Sequence, residues 1–323
     1  MSRNFVSCFS RDLSNMIEWK VSLGGAESTY LSRAKNFDQF CAERHPDASQ
    51  LTEPLVMEWI KTSENAASAV HNKVTFMRGF AVYLRATGSP AYVLPDNFTT
   101  GRSIFVPYIF TDSELSALFR EIDSYTYPKD PFRPILLSAY FRLTYTCGLR
   151  PGESRNLKRN DIDLDSGEIQ VMNTKMKKSR LIIMSRDMLS LTRSYVVLRD
   201  TAYPESEYLF PSPSGKPYSA QWIQTKFKQF WSHSNPGIPK EFLPAVRVYD
   251  LRHRFATAVL NRWLDEKRDI NSRLPYLRVY MGHKELEATA YYIHLLPENL
   301  SKSAGVDWER MGQIFPRTEL WEE

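Results

Sequence analysis

Thr146-Cys147-Gly148-Leu149-Arg150-Pro151-Gly152-Glu153 lies between a helix and the one convincing β region of the chain. Upstream, Pro134 opens a helix whose apolar positions are Ile135, Leu136, Ala139, Tyr140 and Leu143, and Gly148 stops it. Downstream, Ile162–Leu164, a turn at Asp165-Ser166-Gly167, Ile169–Met172, a basic turn and Leu181–Met184 predict a small three-stranded sheet. Beyond Met184 helical spacing returns, broken by loops at Pro211–Pro217 and Asn235–Pro244. The whole is mainly α with a small antiparallel β-sheet, an α+β arrangement. Its start is marked by a capping box, Thr111 with Glu114 three residues on, ahead of Leu115, Leu118 and Phe119.

Farther toward the N-terminus the pattern is helical throughout. Tyr30, Leu31, Ala34, Phe37, Phe40 and Cys41 recur at helical spacing, with Ser28 as N-cap and Pro46 beyond the end. Further helices are expected at about Val6–Lys20, ended by Gly24-Gly25, at Glu53–Ile60 and at Ala66–Arg85. In the last of these Val70, Val74, Met77, Phe80, Ala81 and Leu84 would line one face. Together they predict a four-helix bundle over residues 1–88. Ser89-Pro90 and the aperiodic Leu94–Arg102 predict a linker over 89–107, leaving 108–323 as a second domain with a C-terminal tail. No internal repeat or low-complexity tract interrupts this plan.

The length of 323 residues accommodates two domains, and 42% hydrophobic with 24% charged residues is a globular, non-membrane composition. No apolar run approaches a membrane span and Met1–Lys20 lacks the apolar stretch of a signal peptide, so a cytoplasmic protein is expected. Cys8, Cys41 and Cys147 are far apart without metal-ligand spacing, which predicts reduced thiols and no zinc. Cys147 reads as a small buried residue before it reads as a nucleophile. The net charge is +5, and ten Lys and Arg balance ten Asp and Glu in residues 1–100. The surplus therefore lies after residue 100, where Lys175, Lys177, Lys178 and Arg180 cluster. Such a cluster suits a polyanion, although alone it is more often a solvated face.

Breaking a phosphodiester with a protein nucleophile needs an in-line nucleophile, cations on the non-bridging oxygens and an acid for the departing 5′ hydroxyl. Arginine suits the second task because its planar fork holds two oxygens and stays charged. The second domain offers Arg150 and Glu153 in the opening stretch, then Lys175, then Tyr249-Asp250-Leu251-Arg252-His253, Gly282-His283 and Tyr292-Ile293-His294. In order and spacing these resemble the tyrosine recombinase (phage integrase) family over roughly residues 108–300. The front half resembles the family's helical core-binding, SAM-like DNA-binding domain only in character and position.

The resemblance implies roles residue by residue. Arg150 and Arg252 would clamp the phosphate, with Glu153 as companion of Arg150, and His283 would hydrogen-bond it. Lys175 would be the general acid on the β turn, with Lys177 and Lys178 as alternatives by position. Lys177, Lys178 and Arg180 would lie against the DNA backbone. Tyr292 would be the nucleophile; Tyr291 is adjacent and one of the two could be a core aromatic, but the nine-residue spacing from His283 favours Tyr292. His253 reads as packed within its helix. One position departs from the pattern: three residues before Arg252 the family has histidine, credited with helping to accept the nucleophile's proton, and here stands Tyr249. A tyrosine with a pKa of about 10 is a poor base at neutral pH.

The resemblance further implies a 3′-phosphotyrosine intermediate that conserves bond energy, so that no metal or nucleotide cofactor is required. It implies double-stranded DNA as partner, gripped by both domains with helices in major grooves, and a homo-tetramer on DNA. It implies a recombinase or integrase of a mobile element or phage. The apolar residues of the tail, among them Val306, Trp308, Met311, Ile314 and Phe315, would cap the chain's own core or dock on a neighbour. In the front domain Arg33, Lys35, Lys73, Arg78 and Arg85 would form one basic face. A catalytically silent DNA-binding protein and a type IB topoisomerase are the alternative readings.

Overall fold

Apolar residues at three- and four-residue spacing draw the first part of the chain into four helices, α1 (Ser10–Ser22), α2 (Glu27–Arg44), α3 (Glu53–Lys61) and α4 (Ala67–Ala86). The computed structural model describes residues 4–63, 67–98, 106–173 and 178–295. It divides into two units, Met1–Val106 and Pro107–Glu323, each with its own core. In the first unit Phe37 sits at the centre, its ring 5.1 Å from Trp59, 5.7 Å from Phe9 and 5.8 Å from Phe80. The start of the chain is tied down by Asp38, whose carboxylate accepts the N–H groups of Val6 and Ser7 at 2.8 and 2.9 Å. Helix α2 begins at Glu27 with Ala26 as N-cap, so Ser28 lies inside the helix rather than capping it.

Two features of this unit bear on the expected linker and basic face. Residues 91–98, expected as linker, pack on the bundle: Ala91 and Leu94 are buried and the Tyr92 N–H bonds the Leu51 carbonyl at 2.7 Å. Of the expected basic face, Arg78 and Arg85 hold that segment. Arg85 donates to the Ala91 carbonyl at 2.8 Å, and Arg78 to the carbonyls of Leu94 and Phe98 at 3.3 and 3.1 Å. Lys73 is buried and donates to the Trp59 carbonyl at 2.7 Å. A segment without regular structure leaves its carbonyls unsatisfied, and long cationic side chains answer them.

The second unit contains α5 (Asp112–Ser124), α6 (Phe132–Thr146), α7 (Pro151–Asn156), β1 (Glu168–Asn173), β2 (Lys178–Ile183), α8 (Arg186–Ala202), α9 (Ala220–His233), α10 (Val248–Asp265), α11 (Ile270–Met281) and α12 (Glu287–Ala290), followed by a 3₁₀ turn, Tyr291–Leu295. Thr111 caps α5 through the expected box, its hydroxyl accepting the Glu114 N–H while Glu114 takes the Thr111 N–H at 2.8 Å. Helix α6 buries Leu136, Leu137, Ala139, Tyr140, Phe141 and Leu143, apolar around most of its circumference, and is packed by α5, α8 and α10. It starts at Phe132, two residues before Pro134, which costs nothing because a first-turn N–H has no helical acceptor.

Among the described residues the sheet has two strands, not three. Strands β1 and β2 pair antiparallel, with Val171 opposite Arg180 and Ile169 opposite Ile182. Ile162 contributes a single bridge to Ile169, because a 3₁₀ turn at Arg159–Asp161 and a tight turn at Gly167 leave no length for a ladder. Alternation along β2 sends Arg180 and buried Ile182 to the inner face and leaves Leu181 and Ile183 exposed.

Gly148, which ends α6, has φ +58°, and a β-carbon there would lie 2.4 Å from the Phe255 ring of α10. Gly148→Ala is therefore expected to destabilise the protein by roughly 2–4 kcal/mol, left-handed strain adding to overpacking, as read by urea unfolding of the full chain. A loss below about 0.5 kcal/mol, that of an ordinary surface change, would refute the close approach.

Candidate active site

Arg150 is the N-cap of α7, and its N–H donates to Glu153 Oε2 at 2.8 Å, which places the carboxylate over the helix start. Three guanidiniums converge on that carboxylate. Arg150 Nη1 donates to Oε1 at 2.7 Å, and Arg180 grips both oxygens, Nη1 to Oε1 at 2.9 Å and Nη2 to Oε2 at 2.8 Å. Arg252 Nη1 stands 3.8 Å from Oε2. Burial by itself would raise the pKa of Glu153, but Arg180 and Arg150 outweigh it and hold the carboxyl at about 2. Burial also opposes the charge on Arg150, and Glu153 and Tyr249 more than offset it, so that its pKa is raised.

Arg252 comes from the second turn of α10, whose start is capped by Asp250 accepting the Arg247 N–H at 2.7 Å. Its side chain is fully buried, with Nη1 donating to the Gly148 carbonyl at 2.6 Å and Nη2 to the Met281 carbonyl. Arg150 Nη2 donates to the next carbonyl, Gly282, at 2.7 Å, and Arg180 Nε to that of Tyr280 at 2.8 Å. The end of α11 is thus held by three arginines. Gly282 closes it with φ +64°, and a β-carbon there would meet Arg180 Nη1 at 3.0 Å.

That turn delivers His283. Arg252 Nη2 lies 3.1 Å from His283 Nε2, and because a guanidinium only donates, Nε2 is the acceptor. The proton then sits on Nδ1 and is donated to Thr289 Oγ1 at 2.8 Å. Burial, Arg252 and Arg150 push the pKa of His283 down to about 4, so the ring is neutral at pH 7.

Tyr292 is 2% exposed among Ala256, Leu260, Leu274, Leu277 and Met281, whereas its neighbour Tyr291 is 40% exposed. Its ring stacks near His283 with centroids 6.0 Å apart and lies 5.5 Å from that of His253. Burial pushes its phenol up to about 12 against the pull of Arg252. Tyr249 occupies the first turn of α10, its ring 5.0 Å from His253. A cleft of about 990 Å³ opens beside this group, lined among others by Arg150, Glu153, Lys158, Met172 and Tyr249.

The structure therefore gathers Arg150, Glu153, Tyr249, Arg252, His253, His283 and Tyr292 in one place. Lys175 and Lys177 lie outside the described residues, and Lys178 is described only as the backbone partner of Asn173. Arg180, expected against the DNA backbone, is turned inward by strand alternation and pairs with Glu153 and the Tyr280 carbonyl. Cys147 is buried and its thiol pushed up to about 12, which leaves it no thiolate for attack. Sequence reasoning missed Thr289 and Asp250. The acid three residues into a helix was a usable signal for Asp250, whereas Thr289 meets His283 only because α12 folds back.

The family model described as phage integrase family matches residues 110–299. The chain belongs to that family, the tyrosine-type site-specific recombinases. A putative integrase/recombinase, y4rE of Sinorhizobium fredii, is 28% identical over 295 residues, 89% of this chain and 93% of the relative. A tyrosine recombinase XerC of Proteus mirabilis is 31% identical over 159 residues, 49% of this chain and 47% of its own. Among solved structures, a XerH site-specific recombinase bound to palindromic difH substrate in a post-cleavage complex has the same fold, with TM-score 0.63, 19% identity and 88% and 80% of the two chains covered.

The linkage of Glu153 to its arginines has a measurable signature. A carboxyl with folded pKa about 2 against an ordinary value of 4.5 contributes stability present above pH 4.5 and lost as pH falls toward 2. Glu153→Gln should cost about 3 kcal/mol at neutral pH. In urea melts the gap from wild type should close between pH 4.5 and 2, and a gap constant with pH would refute the charge pairing.

Proposed function

We propose that this chain cuts and rejoins double-stranded DNA at a specific site through a 3′-phosphotyrosine at Tyr292. One observation carries the reading: three guanidiniums share one carboxylate beside a buried phenol, leaving two positive charges that nothing on Glu153 balances. Arg150 and Arg252 would place this excess on the non-bridging oxygens of a phosphate, where it offsets charge that builds as the phosphorus becomes five-coordinate. His283 would hydrogen-bond the same phosphate once its ring proton moves from the Thr289 side to Nε2, and Lys175 would protonate the leaving 5′ oxygen. Attack by the Tyr292 oxygen breaks the bond to that 5′ oxygen, and a 5′ hydroxyl of a partner duplex reverses the step. The reaction needs no nucleotide, because the bond energy is kept in the adduct.

The integrase/recombinase relative supports a role in moving or integrating a DNA element. The likeness in fold to a lambda integrase tetramer bound to a Holliday junction, TM-score 0.63 at 16% identity, supports assembly of four copies on DNA. A second reading is favoured by Tyr249 and by the high pKa of Tyr292: a DNA-binding protein of this fold that no longer cleaves.

The test is a denaturing gel for a covalent adduct on nicked duplexes drawn from DNA flanking the gene. Wild type and Tyr291→Phe are expected to give the adduct and Tyr292→Phe none, with Arg150→Ala slower by about 10²–10³-fold. A shift on binding with no wild-type adduct would leave the silent reading. Relaxation of supercoils without joining two duplexes would indicate topoisomerase chemistry.

A further inference from the structure

Tyr292 is a buried phenol with its pKa pushed up to about 12, so attack requires a group to take its proton. Tyr249 offers a second phenol, whose oxygen is a weaker base than an imidazole nitrogen. The carboxylate of Glu153 is bound by Arg150 and Arg180 and held at about 2. Both nitrogens of His283 are engaged, Nε2 with Arg252 and Nδ1 with Thr289. Asp250 is occupied in capping α10 through the Arg247 N–H.

His253 differs from all of these. Its side chain is 11% exposed, its ring lies between those of Tyr249 and Tyr292 with centroids 5.0 and 5.5 Å away, and its Nδ1 is buried without a hydrogen-bond partner. Its other nitrogen, Nε2, stands 3.9 Å from Asp250 Oδ1. A buried, unsatisfied ring nitrogen is costly and calls for a partner that the unliganded fold does not supply.

We propose that His253 is the proton acceptor for Tyr292, and that Asp250 behind it stabilises the imidazolium that forms. The inference rests on the cleavage reading above. As the Tyr292 oxygen bonds to phosphorus, its O–H breaks and the proton passes to His253 Nδ1. The bond from phosphorus to the 5′ oxygen breaks, and that oxygen takes a proton from Lys175, as in the cleavage reading. Rejoining returns the His253 proton to Tyr292.

The charges around the ring fit this use. On α10 it is faced by Arg247, Tyr249, Asp250 and Arg252, from the loop after α11 by His283, and from the 3₁₀ turn by Tyr292. Burial, Arg247 and Arg252 push its pKa down to about 4, so the free protein holds it neutral and ready to accept. A bound phosphate offsets the arginines and raises its proton affinity when substrate is in place.

The experiment measures single-turnover adduct formation on the nicked duplex from about pH 5 to about pH 9, for wild type, His253→Asn and the double variant Tyr249→His with His253→Asn. Binding shifts and thermal melts accompany each protein. The expected wild-type rate is level wherever His253 is neutral and falls only toward the acid end, where the bound phosphate has raised its proton affinity. His253→Asn should bind DNA normally yet cleave about 10²–10³-fold more slowly, the rate of the variant climbing about tenfold per pH unit as Tyr292 must ionise unaided. Tyr249→His in that background should restore about tenfold or more by supplying an imidazole one turn away. A variant within about threefold of wild type overturns the proposal, as does equal slowing at every pH without recovery. A wild-type rate that never levels off overturns it without reference to any variant. No adduct from wild type removes the cleavage reading and this inference together, whereas an active wild type with an unaffected His253→Asn removes this inference alone.

Discussion

The carboxylate of Glu153 meets guanidiniums from the start of α7, from strand β2 and from helix α10. Three buried or half-buried cations repel one another strongly in surroundings poor in water. A single carboxylate, bonded directly to two of them and capping its own helix, lets them coexist. The same arginines also donate to the carbonyls of Gly148, Tyr280, Met281 and Gly282. Helix ends leave such carbonyls without intrahelical partners. Charge pairing and chain termination are therefore solved by one set of contacts, and α7, β2, α10 and the end of α11 are locked to each other through it.

The same burial sets the protonation states. His253 and His283 are both held neutral, at about 4, and Tyr292 is held as a phenol, at about 12. Desolvation is the largest cause in each case, and for the histidines the arginines add to it. A site prepared in this way carries positive charge on its arginines and none on its imidazoles. The arrival of an anion changes that balance more than any change of solvent pH near neutrality, because the guanidiniums stay charged throughout.

Arginine plays a different part in the first unit. Arg78 and Arg85 are turned onto the carbonyls of residues 91–98, so two cations that a linear reading assigns to a binding face hold an irregular segment on the bundle, while Lys73 is turned onto Trp59 of α3. A long side chain with several donors can reach acceptors far from its own backbone, and only the fold says which acceptors those are.

Much was nonetheless legible in the chain itself. Helical spacing located the four helices of the first unit, and the Thr111–Glu114 pair located the start of α5, because these depend on interactions within a few residues. The ordered motifs around Arg150, Arg252, His283 and Tyr292 already named the residues that the fold gathers. The third strand was not formed, because the available length of a ladder depends on turns whose geometry is set by their surroundings. Arg180 could not be told from its basic neighbours, since the face it occupies depends on strand register, which pairing decides. The pairing of His283 with Thr289 and the unsatisfied nitrogen of His253 likewise lie beyond sequence, because each depends on which buried groups fold back to meet the ring. Sequence by itself determined the periodic elements and the inventory of chemical groups. Tertiary structure alone decided which cations are consumed in holding the chain together and which remain for an anion, since that division is set by burial and distance in space.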